Sequence, residues 1–106
     1  MQLFHSTDMD GVTLINPCAD ARHEIVMRLD GPDAAAADHP DVSLVHDASG
    51  WSLSVFPSGI VTFENLDTWD DQPRFMTGIS RKKALKMWQQ LACGDISDLQ
   101  TFPWQH

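Results

Sequence analysis

The stretch WSLSVFPSGIVTFENL, residues 51–66, decides the fold of this chain. Two runs rich in β-branched and aromatic residues flank the turn-forming PSG at 57–59, which is typical of two strands joined by a tight turn. Strands joined by so short a turn must run antiparallel. Along residues 51–55 large apolar side chains alternate with two serines, which predicts one core face and one open or thinly covered face.

The strand pattern continues toward the N-terminus. Residues 42–46 (VSLVH) form another apolar run, and DASG at 47–50 connects it to the first strand of the hairpin. The sequence therefore predicts a three-stranded antiparallel meander over residues 42–65. Short runs at 2–5 and 11–16 predict a further hairpin near the N-terminus, entered through a tight turn.

Capping signals predict two main helices. Asn16 has the side chain of an N-cap and Pro17 suits a first helical position, so we expect a helix over about 17–30, closed by a left-handed Gly31. Ser80 predicts the cap of a second helix over about 81–93.

The remaining segments connect these elements. We expect residues 33–41 to form a surface connection with one helical turn, and residues 67–79 to form a long irregular loop. Asp95 is expected to cap a last short helical turn, and the aromatic residues 102–104 are expected to dock back onto the body of the protein.

Together these elements predict an α+β fold. Its sheet is antiparallel, has three to five strands around the central meander 42–65, and carries the two main helices on one face. The whole chain, residues 1–106, is expected to form one domain.

Charge restricts the classes of partner. The chain has 15 acidic and 7 basic residues, for a formal net charge of −8. Binding to nucleic acid through counterion release needs clustered cations, so nucleic acid is not expected as a partner. The acidic balance favours a basic protein partner, with good solubility alone as the plainer interpretation.

The sequence offers no signal for export or for a membrane. The N-terminal residues lack a basic segment followed by an apolar run, and no stretch approaches the roughly 20 apolar residues of a membrane span. We therefore expect a cytoplasmic protein without a membrane partner. Cys18 and Cys93 fall inside the predicted helices, where we expect buried or half-buried thiols and no disulfide.

No motif identifies an active site. The histidines have no metal-ligand spacing, and the serines in turns lack a nucleophile-elbow sequence. We predict no metal, no cofactor and no assigned catalytic residue, so the sequence favours a protein that is not an enzyme.

The cations are concentrated at one place. Arg74, Arg81, Lys82 and Lys83 fall within ten positions, and three of them occupy a helix first turn, where cations oppose the macrodipole. The plainer interpretation is an ion-pair patch with acidic residues of the preceding loop. The alternative is an anion-binding site.

The same loop contains the candidates for partner binding: Trp69, Asp70, Asp71, Phe75 and Met76. Tryptophan, phenylalanine and methionine are enriched in interface cores, which favours a contact surface here. Alternatively, Trp69 folds back over the open face of the sheet. That face, with Ser52, Ser54 and Thr62, is a second candidate surface.

Three functions remain open. The favoured one is a small, acidic, non-enzymatic protein-binding domain, of which an immunity-like or antitoxin-like inhibitor of a basic partner is one form. The second is a small enzyme or binding domain for an anionic ligand, using Arg74 and residues 81–83, with His46 or Asp47 in proton transfer. The third is a structural subunit, a homodimer formed through a sheet edge or the meander face.

Overall fold

The computed structural model describes residues 3–37, 40–68 and 74–105. Within them the chain forms six strands: β1 (Phe4–Thr7), β2 (Thr13–Ile15), β3 (Val42–His46), β4 (Trp51–Val55), β5 (Val61–Asn65) and β6 (Arg74–Met76). The helices are α1 (Ala19–Met27), continued by a 3-10 turn (Arg28–Asp30), α2 (Asp33–Ala36), α3 (Arg81–Ala92) and α4 (Ile96–Gln100). The predicted α+β class is confirmed.

The strands form one antiparallel sheet in the order β2-β1-β3-β4-β5-β6. The prediction of three to five strands was too low. The strand that exceeds it is β6, three residues long, within the segment predicted as irregular loop. A run of three residues is too short to show an alternating pattern of apolar and polar side chains. It is the pairing with β5 that identifies β6 as a strand.

The central meander is confirmed to within one residue at each end. Register pairs Leu44 with Leu53 and Leu53 with Phe63, so these three side chains lie side by side on one face. Glycines at positive φ close both turns, Gly50 at 77° and Gly59 at 88°. The positive φ at Gly50 favours glycine, and a β-carbon there would also displace the Asp67 carboxylate.

The core lies between this sheet face and the two longer helices. α3 packs on β3 and β4, and α1 packs against α3. The fully buried side chains of the helical layer include Val26, Ala84, Trp88 and Leu91. Burial of these apolar surfaces against the strands is the main contribution to the stability of the fold.

The start of α1 differs from the prediction. The helix begins two residues later, with Cys18 rather than Asn16 as N-cap. Asn16 is left-handed, with φ of 48°, and its Oδ1 accepts a hydrogen bond of 2.9 Å from the Phe4 N–H. Its side chain therefore extends the pairing of β1 and β2 instead of capping the helix.

The end of α1 also differs. The helix tightens into the 3-10 turn after Met27, and Gly31 is extended (φ −90°), so the predicted left-handed cap is wrong. Cys18 and Cys93 are both exposed free thiols, which corrects the expectation of buried or half-buried ones. Each lies at a helix cap position, outside the apolar stripe of its helix.

The second main helix agrees closely with its prediction. The Ser80 Oγ accepts the Lys83 N–H at 3.1 Å, as expected of an N-cap. Asp95 precedes α4, as predicted, although its side chain makes no capping hydrogen bond.

The C-terminal tail docks onto the core, as predicted. Trp104 stacks on Phe63 with 5.1 Å between ring centroids, and its Nε1 donates to the Leu99 carbonyl at 2.7 Å. Beyond it, Gln105 exchanges two backbone hydrogen bonds with Phe75 of β6.

Candidate functional site

The cationic cluster predicted from the sequence is divided by the fold. Arg74 lies on the helix-bearing side of β6, where its guanidinium is 5.2 Å from the centre of the Trp51 ring. Arg81 is half-buried and binds the Asp30 carboxylate at 3.0 Å. Its other nitrogens donate to the carbonyls of Phe56 (3.2 Å) and Pro57 (2.8 Å). Arg81 therefore joins the start of α3 to the β4–β5 turn and to the end of the α1 segment.

The lysines are arranged differently. Lys82 and Lys83 are exposed, and with Lys86 they line a cavity of about 480 Å³ beside α3. Met87 and Phe102 form the apolar part of its wall, and the polar residues Ser80 and Gln90 complete it. The Lys83 ammonium is 5.8 Å from the centre of the Phe102 ring. The cationic cluster predicted from the sequence did not include Lys86. The spacing of four residues between Lys82 and Lys86 places both on one face of α3.

The predicted partner-binding residues fall into three groups. Trp69, Asp70 and Asp71 lie outside the described residues. Phe75 is half-buried on the outer face of β6. Met76 is buried in the core, so its side chain is not available at the surface.

A surface that the sequence did not indicate lies at the opposite edge of the sheet, on β2. Every residue of this strand is exposed. Three large apolar side chains lie on or beside it: Val12 is 51% exposed, Leu14 41% and Ile15 63%. Apolar side chains on both faces of a strand usually predict that the strand is buried in a sheet. This prediction fails for β2, because β2 pairs with a described strand on one side alone.

The backbone of β2 also offers unpaired groups. Asn16 donates to the Phe4 carbonyl and Asp8 donates to the Val12 carbonyl, so the even-numbered residues face β1. Because bonding alternates along an antiparallel pair, the peptide groups of Thr13 and Ile15 point away from β1. The opposite edge is different, since Gln105 covers part of β6.

An acidic cleft adjoins this edge. A cavity of about 570 Å³ lies where the β1–β2 turn meets the start of β3, and its walls include Asp8, Asp10 and Asp41. Arg28 contacts Asp8 at 3.6 Å and Asp10 at 3.1 Å. Asp41 pairs with no cation in the described part of the chain. Three carboxylates against one guanidinium leave the cleft negative.

The outer face of the sheet carries a row of hydroxyl side chains. Successive register pairs align one threonine or serine from each of five adjacent strands: Thr13, Thr7, Ser43, Ser54 and Thr62. The row begins at the exposed edge strand, and two of its members line the acidic cleft. Polar hydrogen-bonding groups therefore extend from the edge across the outer face, although Ser52, predicted as part of this surface, is buried.

The two histidines of the sheet contact residues of the β3–β4 turn. His5 Nδ1 lies 3.0 Å from the Asp47 carboxylate, and His46 Nδ1 lies 2.7 Å from the Ser49 Oγ. The Trp51 N–H donates to the same Ser49 Oγ at 3.3 Å, which ties this hydroxyl into the β3–β4 turn. His46 is buried, so these contacts organise the turn rather than present an exposed nucleophile.

The residues that the structure describes contain no group of three or more histidine, cysteine or acidic side chains placed to hold a metal ion. None of their helices is both long enough and apolar enough to span a membrane.

Within residues 3–37, 40–68 and 74–105, the fold and these surfaces define a two-layer α+β protein with one exposed sheet edge. Comparisons with protein-family models, with curated proteins and with solved structures found no match for the chain.

Proposed function

We propose that this chain is a non-enzymatic, cytoplasmic protein-binding domain that takes up an extended basic segment of its partner by strand addition at β2. The observation that carries the proposal is the exposed, apolar edge strand beside an acidic cleft. An inhibitor of a basic protein is one form that such a domain can take.

The backbone supports this mode of binding. The peptide groups of Thr13 and Ile15 point outward, so an added strand can form hydrogen bonds with both residues. Natural sheets protect exposed edges with charged side chains or proline, and β2 (TLI) has neither. An unprotected edge is thus consistent with a surface that is covered by a partner.

The side chains would add affinity. Leu14 shares its face with the helices, and Ile15 lies on the outer face, so both faces of an added strand would meet an apolar group. Burial of the exposed part of one such side chain contributes about 1 kcal/mol. Contact on both faces would fix the register of the added strand.

Charge favours a basic partner over a second copy of this chain. The net charge of −8 repels another copy, and the carboxylates of the adjoining cleft attract lysine or arginine. Self-pairing of β2 about a twofold axis through Leu14 would place two negative clefts near each other. Electrostatic steering would accelerate association with a basic segment in low salt.

A peptide array provides the test. Immobilised peptides that alternate apolar residues with arginine or lysine are expected to bind, and peptides with acidic residues at those positions are expected not to bind. Thr13→Pro removes an outward N–H without removing a bond to β1 and should weaken binding at least about tenfold. Ile15→Ser should weaken it about tenfold, through lost burial.

Met27→Ser is the matched control, because Met27 is also an exposed apolar residue but lies on α1. Its affinity should stay within about twofold of the unmodified protein. Equal binding of acidic and basic peptides, or full affinity in Thr13→Pro, would refute the proposal. A stable dimer that Thr13→Pro dissociates would also refute it, in favour of self-association.

A further inference from the structure

We infer that the cavity beside α3 is a binding site for a small phosphate monoester that carries an apolar or aromatic group. The cavity holds about 480 Å³, within the roughly 300–1,000 Å³ typical of small-molecule sites. It is separate from the β2 edge and does not depend on the function proposed above.

The distribution of charge is the main evidence. The chain has three lysines, Lys82, Lys83 and Lys86, and all of them line this one cavity. None of them forms an ion pair with a carboxylate of the described residues, although the chain has 15 acidic residues. Like charges at this helical spacing destabilise a helix, and cations in its first turn oppose the macrodipole. An anion bound between them would offset both effects.

The lysine ammonium groups, rather than the helix amides, would hold the anion. The Lys83 N–H is already bonded to the Ser80 Oγ, and the Ala84 N–H is bonded to the Ser80 carbonyl. Lysine binds phosphate as a point charge without a fixed fork geometry. Three such charges suit the dianion of a phosphate monoester better than a single carboxylate.

The rest of the wall suits an apolar group. Phe102 and Met87 line the cavity, and the Lys83 ammonium lies against the Phe102 ring. Gln90, in the same wall, leaves its Oε1 buried without a hydrogen-bond partner among the described residues. Because that oxygen is inaccessible to solvent, it lies behind the cavity wall and does not face the ligand.

Three probes separate the contributions. Phenyl phosphate supplies the charge and the ring, inorganic phosphate supplies the charge alone, and phenol supplies the ring alone. In calorimetric titrations at low ionic strength, phenyl phosphate should bind most tightly, inorganic phosphate more weakly, and phenol not measurably. Equal affinity for phenyl phosphate and inorganic phosphate would refute the apolar part of the site, and no binding of phenyl phosphate would refute the site.

Two variants locate the binding. Lys83→Gln and Lys86→Gln should each weaken phenyl phosphate binding about tenfold, as expected for loss of one charge-assisted contact. Arg74→Gln removes the same charge outside this cavity and should leave the affinity nearly unchanged. Both lysines are exposed, so these variants should fold normally, which circular dichroism would verify.

Acylation of amines gives an independent readout. Bound phenyl phosphate should slow the modification of all three lysines and leave the chain's α-amino group unaffected as an internal reference. Binding with unchanged lysine reactivity, or equal affinity in the lysine variants and Arg74→Gln, would place the ligand elsewhere and overturn the inference.

Discussion

At the residue scale, Asp95 is the described group whose titration the fold shifts clearly. Partial burial raises its pKa from the ordinary value of 3.8, and repulsion and a hydrogen bond from the Asp98 side chain raise it further. The folded protein therefore holds a proton on Asp95 at a pH where the unfolded chain has already released it. It follows that the ionised form of Asp95 destabilises the fold.

We expect Asp95→Asn to raise the melting temperature at neutral pH. The advantage should shrink as the pH falls through the raised pKa, and it should vanish below 3.8, where Asp95 is protonated in both states. Thermal melts across this pH range are the measurement. Glu24→Gln is the control, because it removes the same charge from an exposed position on α1. Equal stabilisation by both variants at every pH would contradict the prediction.

At two residues, a tertiary contact outweighed the preference that the local sequence indicates. Asn16-Pro17 has the chemistry of a helix start, yet Asn16 bonds to Phe4 of β1 instead. Arg81 occupies a helix first turn, where a cation is unfavourable, and three oxygens from two other segments accept its hydrogen bonds. In each case the deciding partner is distant in sequence, so a local pattern could not reveal it.

At the element scale, the C-terminal tail behaves as part of the sheet layer. Trp104 extends a stack of aromatic rings that begins with Trp51 and Phe63, whose centroids are 4.3 Å apart. The adjacent Gln105 covers part of the β6 edge, at Phe75. The tail thus pairs with one edge of the sheet, and β2 forms the other edge.

We expect Trp104→Ala to lower the free energy of unfolding by about 2–4 kcal/mol, because it removes the stacking on Phe63 and the bond to Leu99. Trp104→Phe keeps an aromatic ring and loses the bond, so its cost should be about 1 kcal/mol. Urea unfolding followed by circular dichroism measures both. Gln100→Ala, at an exposed position on α4, should change stability by less than about 0.5 kcal/mol. Equal costs for the alanine and phenylalanine variants would show that stacking contributes nothing.

Elements differed in how well the sequence predicted them. α3 combines a Ser80 cap, an apolar stripe and a closing Gly94, and these signals agree. β2 and β6 are each three residues long, and each is a strand because it pairs with a neighbouring strand, β1 or β5. The sequence could not predict that β2 is exposed, because an apolar run is the same whether a strand has one neighbouring strand or two.

At the scale of the whole molecule, one core cluster joins the sheet, both longer helices and the tail. Trp51, Trp88 and Trp104 all contact this cluster, so their fluorescence reports on its packing. Far-ultraviolet circular dichroism reports on the helices and strands.

We expect the two signals to show one cooperative unfolding transition with the same midpoint, as is usual for a domain of this size. Trp104→Phe should shift both midpoints together. A fluorescence change that precedes the loss of secondary structure would contradict the prediction of one cooperative domain.

The sequence by itself determined the α+β class, the central meander, α3 and the docking of the tail. Each follows from signals within about a dozen neighbouring residues: alternation, turn glycines, a helix cap, and aromatic side chains that must be buried. The acidic balance that favours a basic partner is likewise a property of composition.

The tertiary structure alone decided that Phe102 joins the lysines of α3 in one cavity, which sheet edge stays open and where the carboxylates gather. Lys83 and Phe102, or Asp8 and Asp41, come together through packing of separate elements. Such contacts depend on the order of strands in the sheet and on where each helix crosses it. Local periodicity does not encode that order, because the same alternating strand fits the middle or the edge of a sheet.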